Sequence, residues 1–316
     1  MAVTRGAEIA AYAFPDGHPF GPDRHDVFWR ALDHSALAGR VEARAPVLAR
    51  DDELATFHEA KYVERVRSLS ALGHGLLDHG DTPAFAGCYE AAAHVVGSAL
   101  DLARAILRGE LDRGFVPIAG LHHARRERAG GFCIFNDAGV VIEVLRAELG
   151  LERFAYVDID AHHGDGVFYG FVDDPQVTIA DLHEDGRFLY PGTGFAHETG
   201  EGAARGTKHN FCLQPDDGDE AFERHWSRVE AIVDAARPQL IVLQAGADCL
   251  DGDPITHLRC SERSHSLATR TLVGLAKRHC DGHVLALGGG GYHRPNLVRA
   301  WLAMVAGLLD DAPGSP

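Results

Sequence analysis

Short, largely apolar runs alternate with longer one-sided stretches through most of this chain. From about Val116 onward, residues 154–157, 177–180, 240–243 and 284–287 read as buried strands. Helices lie between them. Phe222, Trp226, Val229 and Val233 recur at helical spacing, a stripe that stops before Pro238. Apolar runs that do not alternate with polar residues belong to strands covered on both faces, and strands separated by helices pair in parallel. The pattern therefore predicts an α/β fold with a parallel sheet between two helical layers. Upstream, helices are predicted over 23–37, 51–72 and 87–108, packed around that sheet. There is no Pro/Ser-rich linker, repeat or low-complexity tract, so a single domain over 1–316 is expected, with mobility confined to the loop at 197–209 and the tail at 311–316.

Composition narrows the function classes. With 46% apolar residues among 316 there is ample material for a large core. Thirty Lys and Arg against 46 Asp and Glu give a formal charge of −16, which repels phosphate backbones and anionic lipid. No direct nucleic-acid or membrane binding is expected. Residues 1–20 lack a basic start followed by a long apolar run, and the densest apolar stretch, Trp301 to Leu309, is too short to span a bilayer. Six cysteines stand apart with no C-x-x-C pair, a usage that suits buried small hydrophobes in a reducing cytoplasm.

Chemistry gathers where the strands end. Residues 154–157 run into Asp158-Ile159-Asp160-Ala161-His162-His163-Gly164-Asp165, three acids and two imidazoles at the mouth of a buried strand. Such groups are costly to desolvate unless they hold a metal or each other. Asp160 and His162 lie two apart, so they lean to the same side of an extended chain, and a carboxylate with an imidazole suits zinc or iron(II). The strand at 240–243 leads into Gln244-Ala245-Gly246-Ala247-Asp248, a third candidate ligand; taken alone, Asp248 reads as a helix N-cap. Two carboxylates and one imidazole leave positions open for water and substrate, which marks a catalytic metal. Leu121-His122-His123-Ala124 adds paired imidazoles, ordinary in a chain with 20 histidines but notable beside Asp158 and Asp165, each able to orient one ring. The four glycines at 288–291 let backbone approach a ligand, and no Gly-Lys-Ser/Thr follows to make them a phosphate loop. Tyr292 follows them directly.

Together with Gly131-Phe132-Cys133-Ile134-Phe135-Asn136-Asp137 and Tyr190-Pro191-Gly192-Thr193-Gly194, these stretches resemble the metal-dependent histone deacetylase family, of arginase-like α/β fold with about eight parallel strands. They occur in family order. Weaker likeness at Thr56-Phe57-His58 and Asp81-Thr82-Pro83 extends the match across nearly the whole chain, and the wording is nearest the class I and bacterial acetoin-utilisation branch. The resemblance implies that Asp160, His162 and Asp248 hold Zn²⁺, with Fe²⁺ as the alternative ion. His122 and His123 would be catalytic, with Asp158 and Asp165 as their partners. Tyr292 would donate to the substrate carbonyl, Gly131, Phe132 and Tyr190 would wall a narrow tunnel, and Asp81 at the rim would hold substrate backbone N–H groups. Asp158, Asp160, His162, Asp181 and Leu182 would surround a K⁺ or Na⁺ ion. Three positions depart from the family: Tyr190 replaces phenylalanine, Asp181 replaces serine, and Ile255 stands where a polyamine-selective relative carries an acid.

The activity implied is hydrolysis of an N-acyl amide, on acyl-lysine in peptide or protein, or on a small acylated amine such as an acetylpolyamine. A binuclear ureohydrolase on the same fold would need more ligands than the single acid in Gly246-Ala247-Asp248, and a non-catalytic acyl-lysine binder would be expected to have lost Tyr292 or a ligand.

Overall fold

Phe154 and Tyr156 face one way from their strand and Ala155 and Val157 the other, and none is more than 1% exposed. That double burial is the reason the strand carries no polar alternation, and it repeats across the sheet. The computed structural model describes residues 1–15 and 17–310; the tail expected at 311–316 lies outside the described residues. Its eight strands are β1 (Ala2–Thr4), β2 (Glu42–Arg44), β3 (Arg113–Val116), β4 (Phe154–Asp158), β5 (Val177–Glu184), β6 (Lys208–Leu213), β7 (Leu240–Gln244) and β8 (Val284–Leu287). They form one sheet in the order β2-β1-β3-β8-β7-β4-β5-β6. Every pairing is parallel.

The helices are α1 (Ala7–Ala10), α2 (Asp23–Asp33), α3 (Asp51–Phe57), α4 (Ala60–Leu72), α5 (Cys88–Leu107), α6 (Asp137–Leu149), α7 (Asp165–Gly170), α8 (Asp219–Ala236), α9 (Glu262–His279) and α10 (Arg294–Leu308). They cover both faces. Phe154, Tyr156, Val242 and Leu285 share one core with α5 and α6. Ala155, Val157, Ile241 and Ala286 share the other with α2, α8, α9 and α10, including the predicted stripe Phe222, Trp226, Val229 and Val233.

Three expectations need correction. The helix predicted over 51–72 is two helices, because His58 leaves helical geometry at φ −84 and ψ 149. Its ring is held between the Arg125 carbonyl at 3.0 Å and the Asn136 amide at 2.9 Å, so long-range bonds override local propensity. The loop at 197–209 ends in strand, since β6 starts at Lys208, whose buried ammonium reaches the carbonyls of Asp174 and Val177. The helix predicted over 23–37 ends at Asp33. Strands β1, β2, β3 and β6 were not predicted; three residues in β1 and β2 are too few to show a period, β2 is a Glu-Ala-Arg edge largely in water, β3 is only four residues, Arg113–Val116, and β6 carries Lys208, His209 and Asn210 in its first half. Among the described residues no helix is long and apolar enough to cross a membrane, and the six cysteines are unpaired.

Because all strands are parallel, their carboxyl ends share one edge of the sheet, where open α/β sheets bind ligands. Trp301 of α10 locks two of those ends together. Its buried indole N–H is shared between the carbonyls of Ala245 at 3.2 Å and Gly288 at 3.0 Å, just beyond β7 and β8. The ring packs edge-on against Phe28 and Phe115. Trp301→Phe keeps most of the packing but strands two buried carbonyls, so it should destabilise the fold by about 1–3 kcal/mol, read as a lower urea midpoint at unchanged slope.

Candidate active site

Four strand ends and the loops after them converge on one buried cluster. Immediately past β4, the Asp160 carboxylate and the His162 ring turn the same way, with His162 Nδ1 at 3.1 Å from Asp160 Oδ1. From the end of β7, Asp248 brings Oδ2 to 3.2 Å from the same nitrogen. Donor atoms of the three residues all lie within 4.8 Å of one another. Backbone fixes both acids: Asp160 Oδ2 accepts from the Gly290 amide at 2.8 Å and from Gln244 Nε2 at 2.9 Å, and Asp248 Oδ1 accepts from the Ala161 amide at 2.9 Å.

The loop after β3 carries the paired histidines. Asp137, at the start of α6, accepts the amides of Gly120 and Leu121 at 2.9 Å each. Asn136 caps that helix through the Gly139 amide and donates to the Ala124 carbonyl, so the Asn-Asp pair clamps the His122-His123 turn from both sides. His122 Nδ1 meets Asp158 Oδ2 at 2.8 Å, His123 Nδ1 meets Asp165 Oδ1 at 2.8 Å, and the two Nε2 atoms face each other at 3.0 Å. Burial opposes charge on His122, but Asp158 and Asp160 hold its pKa up to about 9. Burial, then the neighbouring His122, push His123 down to about 4. The dyads are thus unequal: their surroundings favour charge on His122 and disfavour it on His123.

Each dyad has a further partner that the sequence did not announce. Tyr156 donates to Asp158 Oδ2 at 2.6 Å. Its spacing of two on a strand was the available signal, since it puts both side chains on one face. Arg125 donates twice to Asp165 Oδ2, at 3.1 and 2.7 Å, while its guanidinium lies 4.4 Å over the Tyr169 ring. Burial alone would raise the Asp165 pKa, yet His123 and Arg125 bring it down to about 2.

A tunnel of about 280 Å³ leads from the surface to this cluster and is lined by Asp81, Gly131, Phe132, Tyr190, Ile255 and Tyr292, with Phe20 and Leu189 in addition. Phe132 stands at φ 66, where non-glycine residues are rare. Tyr12 Oη donates to its carbonyl at 2.6 Å and its amide donates to Thr82 Oγ1 at 3.1 Å, which pins the strained residue with its ring edge-on to Tyr292. Gly131 must lack a side chain, because a Cβ would lie 2.3 Å from His123 Cδ2. The buried Arg24 donates to the carbonyls of Gly289 at 2.6 Å and Gly291 at 3.1 Å, and Asp253 accepts the Tyr292 amide at 2.8 Å. These two hold the glycine turn and present Tyr292. Neither had a local sequence signal.

At the rim, Asp81 hydrogen-bonds Asp78; burial and that neighbour raise the Asp81 pKa to about 6. Asp181 and Leu182 lie on β5 beside β4, but the Asp181 oxygens are committed, Oδ1 to His183 Nδ1 at 2.6 Å and Oδ2 to the Gly164 amide at 2.9 Å. Although burial works against charge on its ring, Asp181 lifts the His183 pKa to about 10, so this acid has a protein counter-ion.

Comparison with known proteins places these residues in context. The histone deacetylase domain model matches residues 18–308. The chain is 35% identical over 313 residues to the acetoin utilization protein AcuC of Bacillus subtilis (strain 168), covering 96% of this chain and 80% of that protein. It is 33% identical over 320 residues to AcuC of Staphylococcus xylosus, covering 97% and 82%. The crystal structure of the HDA15 HD domain superposes with a TM-score of 0.91 at 28% identity, over 98% of this chain and 88% of that one.

The donor set fits a divalent cation. Burial, then the charge of Asp160, push the Asp248 carboxyl up to about 7. Against its own burial, His162 is lifted to about 10 by the same two carboxylates. Two acids aimed at one imidazole nitrogen in a dry pocket form a set that a dication satisfies without a shared proton. The glycines are shaped to it: a Cβ at Gly246 would stand 2.1 Å from Asp160 Oδ2, and one at Gly290 2.1 Å from Asp248 Oδ2. Gly290→Ala should therefore lower affinity for Zn²⁺ by about 10–100-fold, measured by calorimetry, with circular dichroism unchanged.

Proposed function

The chain belongs to the histone deacetylase family, and we propose that it is a zinc-dependent deacetylase that hydrolyses the N-acyl amide of acyl-lysine in a peptide or protein. The reading rests above all on one observation: the Asp160, His162 and Asp248 donors, both Asp–His dyads and Tyr292 meet at one narrow tunnel. Bound there, zinc supplies Lewis acidity toward the amide carbonyl and the attacking water; the same donors suit iron(II). Phe132 and Tyr190 hold a linear aminoalkyl chain between their rings and keep bulk water out. His123, neutral and oriented by Asp165, accepts the proton of the attacking water at Nε2. His122, charged and held by Asp158, returns a proton to the departing amine. Tyr292 donates its phenolic hydrogen to the oxygen on which negative charge develops, a contribution of about 3 kcal/mol for one such donor. Asp81 accepts backbone N–H groups of the substrate at the rim.

Substrate choice turns on the rim. Ile255 offers no charge to the distal ammonium of an acylated polyamine, and Asp253 is tied to the amides of Tyr292 and Ile255 rather than turned to the mouth. Peptide-borne acyl-lysine is favoured on that ground, with acetylpolyamine hydrolysis as the second reading. A binuclear mechanism lacks support, since one group of three ligands forms among the described residues. The assignment of Asp181 to a monovalent site is weakened by its pairing with His183. Unpaired thiols suit a cytoplasmic enzyme.

Elemental analysis of active protein should give one divalent metal per chain; two tightly held ions would overturn the mononuclear reading. Tyr292→Phe should lower kcat by about 10²–10³-fold, and His123→Ala by at least about 10²-fold, at unchanged thermal midpoints. An acetyl-lysine peptide should exceed N-acetylputrescine in kcat/KM, with the margin cut by Asp81→Ala. A polyamine preference of about tenfold, or 1.4 kcal/mol, would replace acyl-lysine with the second reading.

A further inference from the structure

The turn that precedes the tunnel wall is built to hold a phenylalanine out in water. Asp185, only 5% exposed, accepts from the Arg187 amide and Nε at 2.9 Å each and from Arg187 Nη2 at 2.7 Å. Its carbonyl accepts the amides of Phe188 at 2.8 Å and Leu189 at 3.3 Å, and its own amide is tied to the Leu213 carbonyl of β6 at 2.8 Å. Asp185 thus ties the turn both to itself and to the sheet. What it presents is apolar: Phe188 is 51% exposed and Tyr190 44%. Between them, Leu189 packs partly into the core beneath and also lines the tunnel. The Arg187 guanidinium lies 5.6 Å from the Phe188 ring centroid, bracing it further.

A large ring left half in water on a flexible loop can fold back and cover itself. Here the backbone bonds fix the turn, so the point from which the ring projects is set before any ligand arrives. Rigid aromatic anchors beside a binding cleft, with satisfied polar neighbours, have the character of recognition hot spots. The surface is continuous with the tunnel through Leu189 and Tyr190, and Ile255 extends the apolar lining at the mouth, whereas Asp81 and Asp78 make another part of the rim acidic.

We propose that Phe188 is a specificity-determining platform that receives an apolar, preferably aromatic, residue adjacent to the acyl-lysine in the substrate chain. The proposal rests on the acyl-lysine reading above and names a feature of its substrate. Free acetyl-lysine and acetylpolyamines do not reach this surface.

The test compares short acetyl-lysine peptides carrying Phe, Gly or Asp on either side of the modified residue, with N-acetylputrescine as the small substrate. For the native enzyme, kcat/KM should favour Phe over Gly by about five- to tenfold at one of the two positions, mainly through KM, with Asp the poorest. In Phe188→Ala the Phe-to-Gly ratio should fall to within about twofold at an unchanged thermal midpoint, and Phe188→Leu should restore part of it. No preference in the native enzyme, or one that survives Phe188→Ala, overturns the platform while leaving the acyl-lysine reading intact. Turnover of N-acetylputrescine with none of any peptide overturns both. A change in oligomeric state by light scattering in Phe188→Ala, with the flank preference unaltered, assigns the ring to a contact between copies and also overturns the platform.

Discussion

Two carboxylates that face the same imidazole nitrogen in a dry pocket set the terms for the rest of this molecule. Asp160 and Asp248 come no more than 1% exposed to His162 Nδ1 from two different strands, and bringing like charges together out of water is among the most expensive arrangements a fold can hold. The chain meets that cost with fixed dipoles. The amides of Gly290 and Ala161 and the carboxamide of Gln244 point at the carboxylate oxygens, and glycines stand where any side chain would collide with them. The parallel sheet puts the contributing strand ends on one edge, and Trp301 holds two of them in register.

The same economy governs the histidines. Asp158 Oδ2 takes a hydrogen from Tyr156 as well as from His122, and Asp165 divides its oxygens between His123 and Arg125. The two imidazoles, adjacent in sequence and bonded to each other, are thereby driven toward opposite charge states. Environment, rather than residue type, sets the two rings apart here.

Much of this was legible in the amino-acid order. Strands β4, β5, β7 and β8 announced themselves through doubly buried runs, and β4, β7 and β8 end in residues that only chemistry explains. Residues whose contribution is long-range were not legible. Arg24 lies in an ordinary amphipathic helix, and nothing near it points to carbonyls 265 and 267 positions away. His58 breaks a helix that its own neighbourhood favours, because its ring is claimed by the loops at Arg125 and Asn136. Strands β1 and β2 fall below the length at which a period can be read. Asp253 supports the backbone of Tyr292 from 39 positions away, with no local pattern to announce it.

The strand order has a consequence for synthesis on the ribosome. β3 pairs on one side with β1 and on the other with β8, 171 positions later in register, where Arg113 lies opposite Val284 and Val116 opposite Leu287. Until the last part of the chain emerges, the sheet exists as two halves, each with an unpaired parallel edge where the other belongs. Those edges are the strands beside the histidine turn and beside the Asp248 loop. A nascent or truncated chain therefore holds Asp160, His162 and Asp248 on the neighbouring strand ends of β4 and β7 in one half, but it lacks the Gly290 amide, Tyr292 and the docked histidine turn until the two halves have closed on β8.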